Sequence, residues 1–383
     1  MPASTPTKER PQSIAAVGQV VLVLQGGGAL GAYQAGVYEA LHEAGIEPDW
    51  VIGTSIGAIN ASLIAGNAVA NRLARLRDFW RRVEQPDFFT GFPWAARSLP
   101  NLSTVTAGIP GFFAPNPMAF LGPHMPMRPE AAGYYSTGPL AQTLQEFVDF
   151  AVLNQGVPRL TVGAAHVTSG QMRYFDSRDM PLDARHIMAS GALPPAFPAV
   201  RIDDELYWDG GILSNTPVEA VFDDVPRRDS LIFSIHIWNP RGSEPHSIWD
   251  VMNRHKDIQY SSRTDSHILR QRQIHRLRHI IAELAAKLPE DQRALSDVQR
   301  MAAFGCLTRM HVVRLLAPTL QNEDHTKDID FTPGGISKRW RAGYVDTQKL
   351  LAQAPWQAEV DPLEGFCLHE IRREPTDESV TKS

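Results

Sequence analysis

The chain has 383 residues, with 37 basic and 42 acidic side chains for a net charge of −5; 43% of the residues are hydrophobic and 21% charged. That balance excludes a wholly disordered chain and a surface built throughout for nucleic acid, and the length allows a large core without covalent staples. Two cysteines, Cys306 and Cys367, supply neither a disulfide framework nor a C-x-x-C metal or redox site.

Residues 1–17 are polar and rich in Pro, Ser and Thr, and read as a disordered lead without the apolar core of a secretory signal. Val20 to Gln25 is an uninterrupted apolar run followed by glycines, the pattern of a strand buried on both faces. Gly31 to Ala44 has helical spacing and is stopped by Gly45. Trp50 to Gly53 is a second short strand and Ile56 to Ala65 a second helix, so the opening order is strand–helix–strand–helix. Such an order predicts an α/β fold whose parallel sheet is covered on both faces. The stretch Ile56 to Ala70 contains Asn60, Ser62 and Asn67 and falls short of the roughly 20 residues of a spanning helix; a cytoplasmic protein, at most peripheral at a membrane, is expected.

From Gln85 to Gly138 periodicity is lost. Phe88, Phe89, Phe92, Trp94, Phe112, Phe113, Phe120, Met125 and Met127 lie among prolines and glycines, as in a substrate-facing lid or a layer packed on the core. Regular elements resume with a helix at Leu140 to Phe150, a strand at Arg159 to Val167 and a hairpin partner at Met172 to Phe175. Ala184 to Ser190 reads as a helix and Leu231 to Trp238 as a central strand. Ile248 to about Leu288 gives one or two amphipathic helices, Met310 to Leu316 a strand and Ser337 to Ala352 a last helix; the charged tail after Arg373 reads as disordered.

Three segments carry chemistry. Gly53-Thr54-Ser55-Ile56-Gly57 joins the second strand to the second helix. A serine on such a turn presents its hydroxyl beyond the sheet edge, with small neighbours permitting the fold-back and a helix N-terminus favouring negative charge. The plain alternative is that Ser55 only caps the helix. Gly26-Gly27-Gly28-Ala29-Leu30-Gly31 formally matches G-x-G-x-x-G, but the acidic candidates Glu47 and Asp49 precede the second strand instead of ending it, which makes a poor dinucleotide fingerprint. Successive glycines instead expose main-chain N–H groups suited to an oxyanion. Tyr207-Trp208-Asp209-Gly210-Gly211, followed by Asn215-Thr216-Pro217, is alone an ordinary turn. Beside the other two it supplies a carboxylate able to take a proton from a serine hydroxyl.

GGGALG, GTSIG and DGG in this order resemble the patatin-like phospholipase family, as do Ala189 to Pro198 and the Asn215/Pro217 pair, over about residues 18 to 240. The resemblance implies a patatin-like three-layer α/β fold with a central, mainly parallel sheet and a helical C-terminal accessory region. It implies lipase- or phospholipase-type hydrolysis of fatty-acyl esters by a Ser–Asp dyad through an acyl-enzyme, with no cofactor or metal. By position, Ser55 is the nucleophile, Asp209 the base, and the amides of Gly26, Gly27 and Gly28 the oxyanion hole; Gly31, Gly53, Gly57, Gly210 and Gly211 complete the motifs. Gly211 stands where many family members have alanine, which should loosen the turn. The domain organisation that follows is a lead at 1–17, a catalytic domain at 18–240, an accessory region at 241–353 packed on the core, and a partly disordered tail at 354–383.

Two other readings compete. A conventional α/β-hydrolase would add a histidine after the acid, and His236 ends a predicted strand; the early serine elbow favours a sheet-end role for it. A lipid- or partner-binding protein would use the basic region 254–287, whose apolar stripe comprises Ile268, Leu269, Ile274, Leu277, Ile280, Ile281 and Leu284. A helix packed on the core with a solvated basic face is the plainer expectation there. His275 and His279 share a helical spacing but no H-E-x-x-H accompanies them.

Overall fold

A computed structural model describes residues 10–85, 102–261, 264–320, 323–358 and 364–370. Its strands are β1 (Gln19–Leu24), β2 (Trp50–Gly53), β3 (Ala114–Pro115), β4 (Tyr135–Ser136), β5 (Arg159–His166), β6 (Met172–Asp176), β7 (Val200–Ile202), β8 (Glu205–Asp209), β9 (Ser230–His236), β10 (Met310–Leu316) and β11 (Phe366–Glu370). Nine of them form one sheet in the order β11-β10-β9-β1-β2-β5-β8-β7, with β6 also paired to β5. From β11 to β5 every pairing is parallel; β6 and β8 run antiparallel to β5, and β7 antiparallel to β8.

Alternation along the strands divides the core in two. Val20, Leu22 and Leu24 point into one cluster, with Leu231, Phe233, Ile235, Val313 and Leu315. Helices α1 (Ala32–Glu43), α2 (Ile56–Ala65) and α3 (Val69–Arg82) cover this face, joined by the long α8 (Pro333–Gln353). Val21 and Val23 point into the other cluster with Ile52, Ile232, Met310, Val312 and Phe366, covered by Val218, Val221, Phe222 and Ile268. Both faces of β1 are thus dry, which is why its sequence is continuously apolar instead of alternating. The mainly parallel, helix-flanked architecture expected from the sequence is present.

The elements also include α4 (Gly138–Phe147), α5 (Ala184–Ser190), α6 (Ile248–Ser261) and α7 (Thr264–Lys287). The strand β10, from the region after residue 241, extends the sheet beside β9, and β11 follows it at the edge. The β7–β8 hairpin, which delivers Asp209, turns at Asp203 and Asp204 with φ +47° and +67°. Aspartate tolerates the left-handed region that a tight hairpin demands.

The basic region buries only part of the expected apolar stripe. Helix α7 turns Ile268, Gln271, His275 and His279 inward and leaves Leu269, Leu277 and Leu284 exposed. His275 donates Nε2–H to the Thr308 carbonyl at 2.7 Å and packs edge-on against Phe222, and burial holds its pKa down.

Candidate active site

Strand β2 ends at Gly53, Thr54 leads to Ser55, and α2 starts at Ile56. Ser55 has φ +55° and ψ −122°, a backbone state that a non-glycine residue holds only when its surroundings impose it. Its N–H donates to the Ser190 carbonyl and hydroxyl, each at 3.1 Å. The flanking glycines permit the fold-back: a Cβ on Gly53 would lie 2.3 Å from the Gly57 carbonyl oxygen, and one on Gly57 2.2 Å from that of Leu24. Ser55 makes no side-chain capping bond to α2, so helix capping does not account for it. The residue is half-buried, and a Cβ on Gly191 would sit 3.9 Å from its Oγ.

Asp209 closes β8, opposite Ala164 of β5, and is 3% exposed. Its N–H donates to the Ala192 carbonyl at 2.9 Å, and its Oδ1 accepts from the Gly211 N–H at 2.7 Å. Burial pushes the carboxyl up to about 7; the Gly211 amide and, more weakly, hydrogen bonding with the Ser55 side chain pull it back. The Ser55 side chain therefore lies close enough to the carboxyl to act on its titration. Gly210 is obligatory, since a Cβ there would meet the Gly163 carbonyl oxygen at 2.4 Å. The Gly211 amide holds Asp209, and a Cβ at Gly211 would lie 2.8 Å from Asn215 Oδ1.

The glycine loop borders the elbow, with a Cβ on Gly26 falling 3.0 Å from Ser55 Cβ. The three amides expected to be open are not equivalent. Gly26 donates its N–H to the Asn215 carbonyl at 3.2 Å, and its own carbonyl accepts from Trp238 Nε1 at 2.8 Å and Asn215 Nδ2 at 3.1 Å. The N–H groups of Gly27, Gly28 and Ala29, by contrast, have no acceptor among the described residues. They lead into the 3-10 turn Gly28–Gly31 and then α1, so they form the electropositive end of a helix. Gly31 lets this end approach α2, its absent Cβ lying 2.6 Å from Ile56 Cγ1.

Two positioning residues escaped the sequence reading. Gln25 is fully buried: Oε1 accepts from the amides of Ile237 (2.6 Å) and Trp238 (3.0 Å), while Nε2 donates to Thr216 Oγ1 (2.8 Å) and the Tyr260 carbonyl (3.3 Å). It ties the end of β1 to the segment after Asp209 and to α6. A glutamine closing a run of valines and leucines was the available signal, because a buried amide needs partners. Asn215, which the sequence offers only as following the Asp209 turn, bonds both Gly26 and the Tyr260 carbonyl.

The acidic groups that a dinucleotide would need are committed elsewhere: Glu47 pairs with Arg72 at 2.6 Å, and Asp49 with Arg10 and the Val20 amide. His236 is buried on β9, bonded to Ser234 Oγ at 2.8 Å, and burial together with nearby Arg314 holds its pKa down to about 3. Its neighbour is thus a strand serine and not the Ser55–Asp209 pair. Of the aromatic segment, Phe88, Phe89, Phe92 and Trp94 lie outside the described residues. Phe112 and Phe113 pack with Tyr135, Phe197 and Phe331 at ring separations of 4.8 to 6.4 Å. This part of the segment is a layer packed against the core.

A family model described as patatin-like phospholipase matches residues 22–222, more than half of the chain, and a second, described as patatin phospholipase, matches residues 258–363. The chain belongs to the patatin-like phospholipase family. It is 59% identical over 65 residues to a lysophospholipase (nte1) of Aspergillus terreus, covering 17% of this chain and 4% of that protein. To an uncharacterized NTE family protein of Mycobacterium tuberculosis it is 29% identical over 204 residues, covering 53% of this chain and 28% of the relative. The chain therefore spans only a small part of the length of these curated relatives. Among solved structures it is similar to VipD from Legionella pneumophila at 18% identity and a TM-score of 0.40, covering 88% of this chain and 67% of that one.

Proposed function

We propose that this chain is a serine acyl hydrolase that cleaves lipid or other fatty-acyl esters through a Ser55–Asp209 dyad. The observation that supports this reading is the elbow serine, held at φ +55°, whose side chain acts on a buried carboxyl with a pKa pushed up to about 7. As the carboxylate, Asp209 accepts the Ser55 proton while Oγ attacks the acyl carbonyl. The tetrahedral oxyanion is stabilised by the open amides of Gly27 and Gly28. Asp209 then returns the proton to the departing alcohol, leaving Ser55 acylated. Water deprotonated by the same carboxylate releases the acid and restores the hydroxyl. The chemistry is assigned to residues 18–240, with residues 241–353 packed against them.

The reading is tested with p-nitrophenyl esters of increasing chain length. A chain-length optimum that disappears in Ser55→Ala supports it; equal turnover by both proteins removes it. Because only ionised Asp209 accepts a proton, kcat/KM should rise about tenfold per pH unit below a limb near 7 and flatten above it. A flat profile from pH 5 to 9 would contradict the assigned base. His236→Ala should keep wild-type kcat within about threefold, whereas a Ser–Asp–His triad would lose about four orders of magnitude.

Peripheral membrane contact is a secondary part of this proposal, favoured by the exposed Leu269, Leu277, Ile280 and Leu284 on α7, with Arg270 and Arg276 beside them. Sedimentation with vesicles containing anionic lipid should fall in high salt and on Leu277→Glu with Leu284→Glu. Unchanged sedimentation of that double variant would remove α7 as the contact.

A further inference from the structure

The loop Gly26-Gly27-Gly28 combines φ values of +159° and +55° at Gly27 and Gly28 with amides that lack acceptors. Glycines in such states have many alternatives, so a cradle made of them must be held from outside. The holding atoms come from far along the chain. The carbonyl oxygen of Asp328 lies 2.2 Å from where a Gly28 Cβ would be, in the space that only glycine leaves open. On the other side, Trp238 Nε1 donates to the Gly26 carbonyl, and the Tyr260 ring stacks on Trp238 at 4.8 Å.

These two contacts share one support. Lys256-Asp257 on α6 and Lys327-Asp328 on the 3-10 turn Lys327–Ile329 pair reciprocally. Lys256 Nζ binds the Asp328 carboxylate at 2.7 Å and Lys327 Nζ binds Asp257 at 2.6 Å. Lys256 also donates to the His325 carbonyl at 2.8 Å, and Lys327 sits over the Trp238 ring at 5.6 Å. The Lys327–Asp257 side chains are only 5% and 11% exposed. A buried pair of this kind adds little net stability over an apolar equivalent, because desolvation offsets the attraction. Each carboxylate is met by one lysine, and Asp328, whose carbonyl oxygen fills the space beside Gly28, belongs to one of the two pairs.

We propose that Lys256, Asp257, Lys327 and Asp328 form a reciprocal charge clamp that positions the main-chain cradle, pressing the Asp328 carbonyl against Gly28 and bracing Trp238 against Gly26. These are positioning residues, and their role rests on the reading of the Gly27 and Gly28 amides as the oxyanion site. With the clamp open, the 3-10 turn lifts from Gly28 and the amides lose their fixed direction. Transition-state stabilisation falls while ground-state binding is retained.

The test uses the full chain with Lys256→Met, at the more exposed pair, and Lys327→Gln, at the buried one, with Lys327→Arg as the conservative control. Steady-state kcat and KM on a p-nitrophenyl ester are measured beside the affinity for a trifluoromethyl ketone, which forms a tetrahedral adduct on a serine. The clamp predicts kcat lower by about tenfold or more in Lys256→Met and Lys327→Gln. It predicts KM within about twofold, ketone affinity weakened in proportion to kcat, and Lys327→Arg largely restored. Wild-type kcat in a folded Lys256→Met overturns the clamp, as does a loss of kcat that leaves ketone affinity unmoved. Ser55→Ala is run alongside. If it is inactive while the clamp variants are normal, only the clamp fails; if it stays active, the hydrolase reading itself has failed.

Discussion

Replacing Asp209 by Asn should lower kcat by about a thousandfold or more while leaving KM for a short ester within a few-fold. Asparagine keeps the shape and still accepts from the Gly211 amide, but it cannot take the Ser55 proton. Ser55→Ala should reduce turnover to background, since no acyl-enzyme can form. Stability separates this from misfolding. The folded pKa of Asp209 is raised above its ordinary 3.8 to about 7, so the native state favours the neutral acid. The stability this group contributes is fully present below pH about 4 and is lost as pH rises through about 7. Asp209→Asn removes that loss, and its Tm at pH 8 should equal or exceed that of the wild type. Low activity with a lower Tm at pH 8 would mean the substitution acts through the fold.

The second large effect concerns the elbow. Gly57→Ala places a methyl 2.2 Å from the Leu24 carbonyl oxygen, a main-chain atom of β1 locked into pairing with β2 and β9. Neither side has a flexible chain end to move, so the helix start must shift. We expect a loss of about 3 kcal/mol of stability from overpacking, read as a lower urea midpoint at unchanged m. We also expect kcat to drop by about a hundredfold or more, because Ser55 is two residues away and a displacement near 1 Å suffices for that. Wild-type activity in a folded Gly57→Ala would show that the strand–helix contact does not set the serine.

Much of this site was legible in sequence because its rules are local. The spacing of Gly53, Ser55 and Gly57 encodes a fold-back that requires two missing Cβ atoms, and those contacts are backbone to backbone. Asp209 was legible through the two glycines after it, one obligatory for packing and one supplying an amide. What sequence could not show depends on distant partners. Gly26 resembles its neighbours in composition, and only the arrival of Asn215 occupies its amide. The short hairpin of β7 and β8 escaped because Val200 to Asp209 mixes polar and aromatic residues without a long period. On α7, hydrophobicity marked only part of the buried face: Ile268 is buried, whereas Leu269, Leu277 and Leu284 are exposed. Gln271, His275 and His279 are buried there, His275 through its bond to the Thr308 carbonyl and its contact with Phe222. The leucines on the other side are left to solvent or to a partner surface.

The central claim is that one hydroxyl, activated by one carboxylate, becomes acylated. It is tested most directly by intact-mass analysis and peptide mapping after exposure to a long-chain alkyl fluorophosphonate. The account predicts a single adduct on Ser55 in the wild type, none in Ser55→Ala, and labelling slowed by about a hundredfold or more in Asp209→Asn below saturation. An adduct on another residue, or equal labelling rates in wild type and Asp209→Asn, would contradict it.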